Sequence, residues 1–135
     1  MDVGTLFVRA VNDWEDSELD AAMLHACNAV DGTAAKMSPT SKSSNARFTR
    51  LLRENYSILG PMGAPGLNLE ATRFPVRVEH PKALGGQPDI VDVIYGIHRC
   101  HHGHGIALPD GFELISDAAG TRGYTRIEVK REGSA

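Results

Sequence analysis

Four of the six histidines stand at positions 98, 101, 102 and 104, interleaved with Arg99 and Cys100 and followed by Gly103 and Gly105. Histidine is the side chain whose ordinary titration falls near neutral pH, and arginine is a permanent, planar cation. Together they offer two chemistries. In the first, His98 and His102, four apart on a helix, share one face and ligate a single zinc ion. A third ligand would then come from His25, Glu79 or His80. No HExxH motif stands here, because Arg99 occupies the position where that motif carries glutamate, and a guanidinium beside the site disfavours a divalent cation.

The second chemistry is phosphoryl transfer on RNA. A base takes the 2′-OH proton, an acid protonates the leaving oxygen, and a cation stabilises the charged phosphorane. Arg99 and His104 supply these groups without a cofactor or metal. Five residues along an ideal helix rotate roughly 500°, about 140° net, so Arg99 and His104 share a face only if Gly103 breaks the helix. His102, three residues after Arg99, is the alternative partner if the helix continues. The unremarkable alternative to both chemistries is a set of exposed histidines favoured by the dipole at a helix C-terminus.

The elements that must position these groups are mainly helical. Apolar residues at 19, 23, 26, 27, 30, 34 and 37 predict a first helix over 17–37, with Ser17 as N-cap, Gly32 interrupting the pattern and Pro39 ending it. Phe48, Leu51, Leu52 and Leu59 predict a second helix over 44–59, with Arg47, Arg50 and Arg53 lining another face. Residues 60–88 hold five of the seven prolines and five glycines and read as a long loop or flap, with 71–78 an extended edge segment. Pro88 and Asp89 open the third helix, whose apolar side is Ile90, Val91, Val93, Ile94 and Ile97 and whose outer side is Asp92 and Tyr95. Alternation over 112–116 and 123–129 around residues 117–120 predicts a β-hairpin. There is no internal repeat. The expected architecture is one domain over 1–135: a small helical bundle over about 17–110, a long Pro/Gly-rich loop, and a C-terminal hairpin over about 111–130. Trp14 is expected to anchor the N-terminal segment.

Composition is that of an ordinary globular chain, 41% hydrophobic and 23% charged. No apolar stretch is long enough for a membrane span, and the first residues lack the pattern of a signal peptide, so the expected location is the cytoplasm. Cys27 and Cys100 are then expected as reduced, buried thiols. Net charge is −3, which excludes a bulk polyanion binder, but the charge is uneven. Residues 1–31 carry seven acids and one base, whereas residues 32–53 carry five bases and no acid. Arg47 and Arg50 in that run are candidate phosphate contacts, against the alternative of a solvated helix face. Asp31 is a candidate carboxylate to orient Arg99 or a histidine. Tyr95, one turn before Arg99, is a candidate substrate contact or a packing residue.

Arg99 followed by four residues and His104 resembles the Arg-x4–6-His signature of HEPN domains (higher eukaryotes and prokaryotes nucleotide-binding). Arg73 and His80 also meet the spacing but straddle a proline segment. The flanks extend the likeness: Asp89-Ile90-Val91-Asp92-Val93-Ile94-Tyr95 leads into His98-Arg99-Cys100 and then His104-Gly105. Ala26 to Ala34 and the Arg47-Phe48 pair are also similar to prokaryotic members. The resemblance covers about residues 17–110. It implies a bundle that dimerises through the motif helices and acts on RNA or nucleotides. Active members of that family are metal-independent endoribonucleases of toxin or defence type, some paired with an antitoxin-like protein. Others only bind. By position, Arg99 would hold the scissile phosphate and His104 would be the acid/base.

Overall fold

The computed structural model describes the backbone of residues 1–103, 112–116 and 123–127, with side chains through His101. Helix α1, Val3–Glu15, begins where the Asp2 carboxylate accepts a 2.7 Å hydrogen bond from the Thr5 amide. Helix α2, Leu19–Met37, runs back antiparallel to it, so that Val3 lies at Gly32 and Asp13 at His25. Two expectations change here. Ser17 does not cap α2; it turns the chain in the left-handed region at φ 61°, and the helix starts two residues later. Gly32 does not interrupt α2 but lets α1 approach: a Cβ there would stand 2.9 Å from Val3 Cγ2. Helix α1 is an element not predicted from the sequence; its side toward α2 repeats at Val3, Leu6, Ala10 and Asp13, in steps of three and four. Trp14 is 43% exposed, so the segment it was expected to anchor covers it only in part.

The second predicted helix is two. Helix α3 is Ser44–Glu54, capped by the Ser43 hydroxyl, and α4 is Tyr56–Gly63. The break falls at Asn55, whose side-chain amide donates to the Leu51 carbonyl at 2.7 Å and satisfies an oxygen at the α3 end. Pro61 sits inside α4, so the segment without helix or strand begins at residue 64 and runs to Asp89.

The motif helix is continuous but irregular. It comprises α5 (Ile90–Val93), a π-helical segment (Ile94–Arg99) and α6 (Cys100–Gly103). At its centre, a Cβ on Gly96 would stand 2.4 Å from Val78 Cγ1, so the loop packs directly on helix backbone there. The core forms where α2, α3 and this helix meet: Cys27, Ala34, Phe48, Val91, Val93 and Ile97 are buried. Two strands, β1 (Phe112–Ser116) and β2 (Gly123–Ile127), pair antiparallel with Leu114 opposite Thr125. The turn expected around residues 117–120 lies outside the described residues. Among the described residues, no helix is long and apolar enough to cross a membrane.

One polar knot joins these parts. Asp89 and Asp92, placed by sequence at the mouth and on the outer side of the motif helix, are both buried, at 3% and 2% exposure. They form a reciprocal capping box, the Asp92 amide donating to Asp89 Oδ1 at 2.9 Å. Arg53 reaches across from α3 with Nε 2.8 Å from Asp89 Oδ2 and Nη2 2.7 Å from Asp92 Oδ1. The Tyr56 hydroxyl donates to Asp89 Oδ2 at 2.7 Å. The Lys82 and Ala83 amides donate to the two Asp92 oxygens at 2.9 and 3.0 Å. Asp92 is therefore turned inward because the loop brings its own amides to it. Burial pushes the Asp89 carboxyl up, but the bonds from Arg53, the Asp92 amide and Tyr56 outweigh it and hold the group at about 2.

Removing one partner of a buried ion pair strands the other charge. Arg53→Met is expected to cost about 3–5 kcal/mol in urea denaturation, whereas Arg50→Met stays within about 0.5 kcal/mol. Because Asp89 titrates below its ordinary value of 3.8, its stabilisation is full above that pH and is lost as pH falls toward about 2. The denaturation midpoint should therefore drop as pH falls from about 4 to about 2, and drop less in Asp89→Asn.

Candidate functional site

Beside that knot, three helices converge on Asp31. It stands in the last third of α2, and Arg99, from the end of the π-helical segment, donates Nη2 to Asp31 Oδ2 at 3.0 Å. Arg47, from the first turn of α3, places Nη2 3.8 Å from Asp31 Oδ1 and donates Nη1 to the Ser41 carbonyl at 3.3 Å. One carboxylate thus faces two guanidiniums, all three only partly exposed, and the group carries a net positive charge. Burial pushes the Arg99 guanidinium down, but the hydrogen bond and charge of Asp31 outweigh it, so its titration rises above the ordinary value and it stays charged.

Tyr95 forms the floor. The Arg99 guanidinium carbon sits 5.3 Å from the centre of the Tyr95 ring, within cation–π range. The same ring meets fully buried Phe48 edge-on at 5.3 Å between centroids. Its hydroxyl shares a 2.7 Å hydrogen bond with Ser44 Oγ. Tyr95 and Arg99 share one face because they are four residues apart, about one turn of helix, and the segment that carries both is π-helical. Such bulges recur at functional sites.

The three arginines that the sequence places on one face of α3 separate in space. A step of three residues drifts about 60° around a helix, so Arg47 and Arg53 point roughly 120° apart. Arg47 goes to Asp31 and Arg53 to Asp89 and Asp92. Arg50 is exposed, donates to Ser38 Oγ and pairs loosely with Glu54 at 3.9 Å. It does not join the Asp31 cluster, so of the expected substrate contacts the structure brings together Arg47, Tyr95 and Asp31. Of the two residues that hold Tyr95, Ser44 carries no signal in the sequence beyond the helix start, whereas Phe48 is marked by its apolar spacing and by the Arg47-Phe48 pair.

The histidines also separate. His98 is fully buried at 1% exposure, which sets it inside the bundle rather than on an open face with His102. His101 donates Nδ1–H to the Ile97 carbonyl at 2.7 Å. His25 is 2.6 Å from Asp13 and ties α2 to α1. His102 lies in α6, three residues past Arg99, and the helix continues through Gly103; the His102 side chain and His104 lie outside the described residues. Among the described residues, no three His, Cys, Asp or Glu side chains are grouped to hold a metal ion. Cys27 and Cys100 are free, and burial pushes the Cys27 thiol up to about 12, so it is an inert core residue.

Fold and site together define a mainly helical domain with a half-buried, net-cationic Arg–Asp–Arg cluster floored by tyrosine. The chain belongs to the Rv1289 family, whose model matches residues 2–134. It is similar to "Uncharacterized protein Rv1289" of Mycobacterium tuberculosis (strain ATCC 25618 / H37Rv), at 46% identity over 112 residues, 83% of this chain and 53% of the relative. "Uncharacterized protein Mb1320" of Mycobacterium bovis (strain ATCC BAA-935 / AF2122/97) matches to the same extent. The chain spans about half the length of these curated relatives. No solved structure matches.

Asp31 neutralises two cations, so its loss leaves Arg47 and Arg99 in mutual repulsion. Asp31→Asn is expected to lower unfolding free energy by about 1.5–3 kcal/mol, read by urea denaturation. Arg99→Lys should recover little of what Arg99→Ala loses, because an ammonium keeps the charge but neither the planar stack on Tyr95 nor the guanidinium geometry.

Proposed function

We propose that this domain acts on RNA in the cytoplasm as a HEPN-like, metal-independent endoribonuclease. The observation that carries the reading is the Asp31-held pair of guanidiniums beside the end of the motif helix. Two cations against one carboxylate leave a net charge that suits a phosphodiester, and partial exposure leaves Arg99 reachable. In this reading Arg99 holds the scissile phosphate and stabilises the phosphorane as the 2′-oxygen attacks phosphorus and the 5′-oxygen leaves. His104 moves the proton, with His102 the alternative. Arg47 contacts the neighbouring phosphate, and Asp31 is a positioning residue that fixes Arg99 against the Tyr95 ring.

A second reading has its own observation. Arg99 and Arg47 are both already paired with Asp31, as in a structural brace, which favours a non-catalytic module that binds a nucleotide or a protein partner. The two readings separate in one experiment. Incubated with labelled RNA in EDTA, the protein should cleave; Arg99→Ala and His104→Ala should each lower the rate by at least about 100-fold. Cleavage that survives both substitutions overturns the ribonuclease reading. RNA binding without turnover, lost in Arg99→Ala, selects the binding module.

A further inference from the structure

Helix α1 buries only part of its apolar surface. Val3, Leu6 and Ala10 face α2 and are half-buried, and the Asp13–His25 contact fixes the same side. At about 100° per residue, Gly4, Phe7, Val8, Val11 and Trp14 form a second stripe beside the first. Its large side chains are exposed: Phe7 63%, Val8 54%, Val11 38% and Trp14 43%, with Met1 at the helix start 74% exposed. The motif helix offers no such face, since none of residues 90–101 is exposed.

We propose that this stripe is the seat of a second copy of the chain, packed antiparallel, α1 against α1, across a twofold axis. The area is sufficient. The five side chains present on the order of 500 Å² of apolar surface, so two copies cover ~1,000 Å², the scale at which a specific interface becomes stable. The stripe is also self-complementary, as an isologous contact requires. An antiparallel pairing centred at the level of Arg9 sets Trp14 against Gly4 of the partner subunit, the largest side chain against the smallest. The same register sets Phe7 against Val11 of the partner subunit. Between Gly4 and Trp14 the stripe carries no charge, Arg9 lies on the opposite side, and Glu15, one turn past Val11 at the helix end, falls at the rim of the contact, where it stays solvated.

Sedimentation equilibrium tests the contact. The chain should be a dimer at micromolar concentration, and Phe7→Glu with Val11→Glu should convert it to a monomer of unchanged helicity. A chain that is monomeric throughout the micromolar range, or a dimer that survives both substitutions, overturns the proposal, as does a monomer that binds lipid vesicles through this face. Should the charged variant lose helicity, cross-linking decides instead. Gly4→Cys and Trp14→Cys proteins, mixed under oxidising conditions, should give a disulfide-linked pair that neither gives alone. Self-linking of Gly4→Cys would mean a parallel pairing and would overturn this one.

Discussion

Two buried carboxylates set the terms for this fold. Asp89 and Asp92 sit three residues apart at the start of the motif helix, where free amides and the helix dipole already favour negative charge. Burial alone would expel both ions. Arg53 from α3, the Tyr56 hydroxyl from α4 and two loop amides at Lys82 and Ala83 keep them. The motif helix, α3, α4 and the segment after residue 64 therefore share one electrostatic junction. Packing then follows from it. The helix is held at its first turn, Val91 and Val93 enter the core, and Val78 closes on Gly96.

The Asp31 cluster is the second polar junction and differs in kind. Asp89 and Asp92 have more hydrogen-bond donors than their charge requires. Asp31 has one direct hydrogen bond from Arg99 and a looser ion pair with Arg47, and the site keeps a surplus cation. The first arrangement holds the structure together. The second is only partly buried and, in the proposed reading, exchanges part of its internal pairing for an external anion. The π-helical segment connects them, since it fixes how far Arg99 is rotated from the anchored start of the helix.

Much of this was legible in sequence. Pro88 and Asp89 mark the start of the motif helix in sequence, although Asp92 reads there as an outer residue and is buried, and the mainly helical class follows from apolar spacing on residues 19–37 and 44–59. Asp31 reads in sequence as a carboxylate for either Arg99 or a histidine, and it stands 3.0 Å from Arg99. The π-helical segment was not legible, and the residue packed at its centre, Val78 against Gly96, comes from eighteen positions earlier in a segment without periodic pattern. The fate of Arg53 was hidden for a similar reason. Three evenly spaced arginines look alike along the chain, and only the fan of about 60° per step, with carboxylates waiting on one side, separates them. Helix α1 has a regular spacing at Val3, Leu6, Ala10 and Asp13, but the exposed apolar residues between them blur its periodicity. Its two apolar faces explain why it both packs on α2 and leaves Trp14 outside.

The central claim is that Arg99 and Arg47, and not Arg53, meet a phosphate. The most direct test follows the arginine side-chain Nε–H signals by NMR while a 2′-deoxy analogue of an RNA oligonucleotide, which cannot be cleaved, is titrated in. The account predicts that the Arg99 and Arg47 signals shift together and saturate, while the Arg53 signal stays in place. Binding that leaves Arg99 unmoved would contradict it.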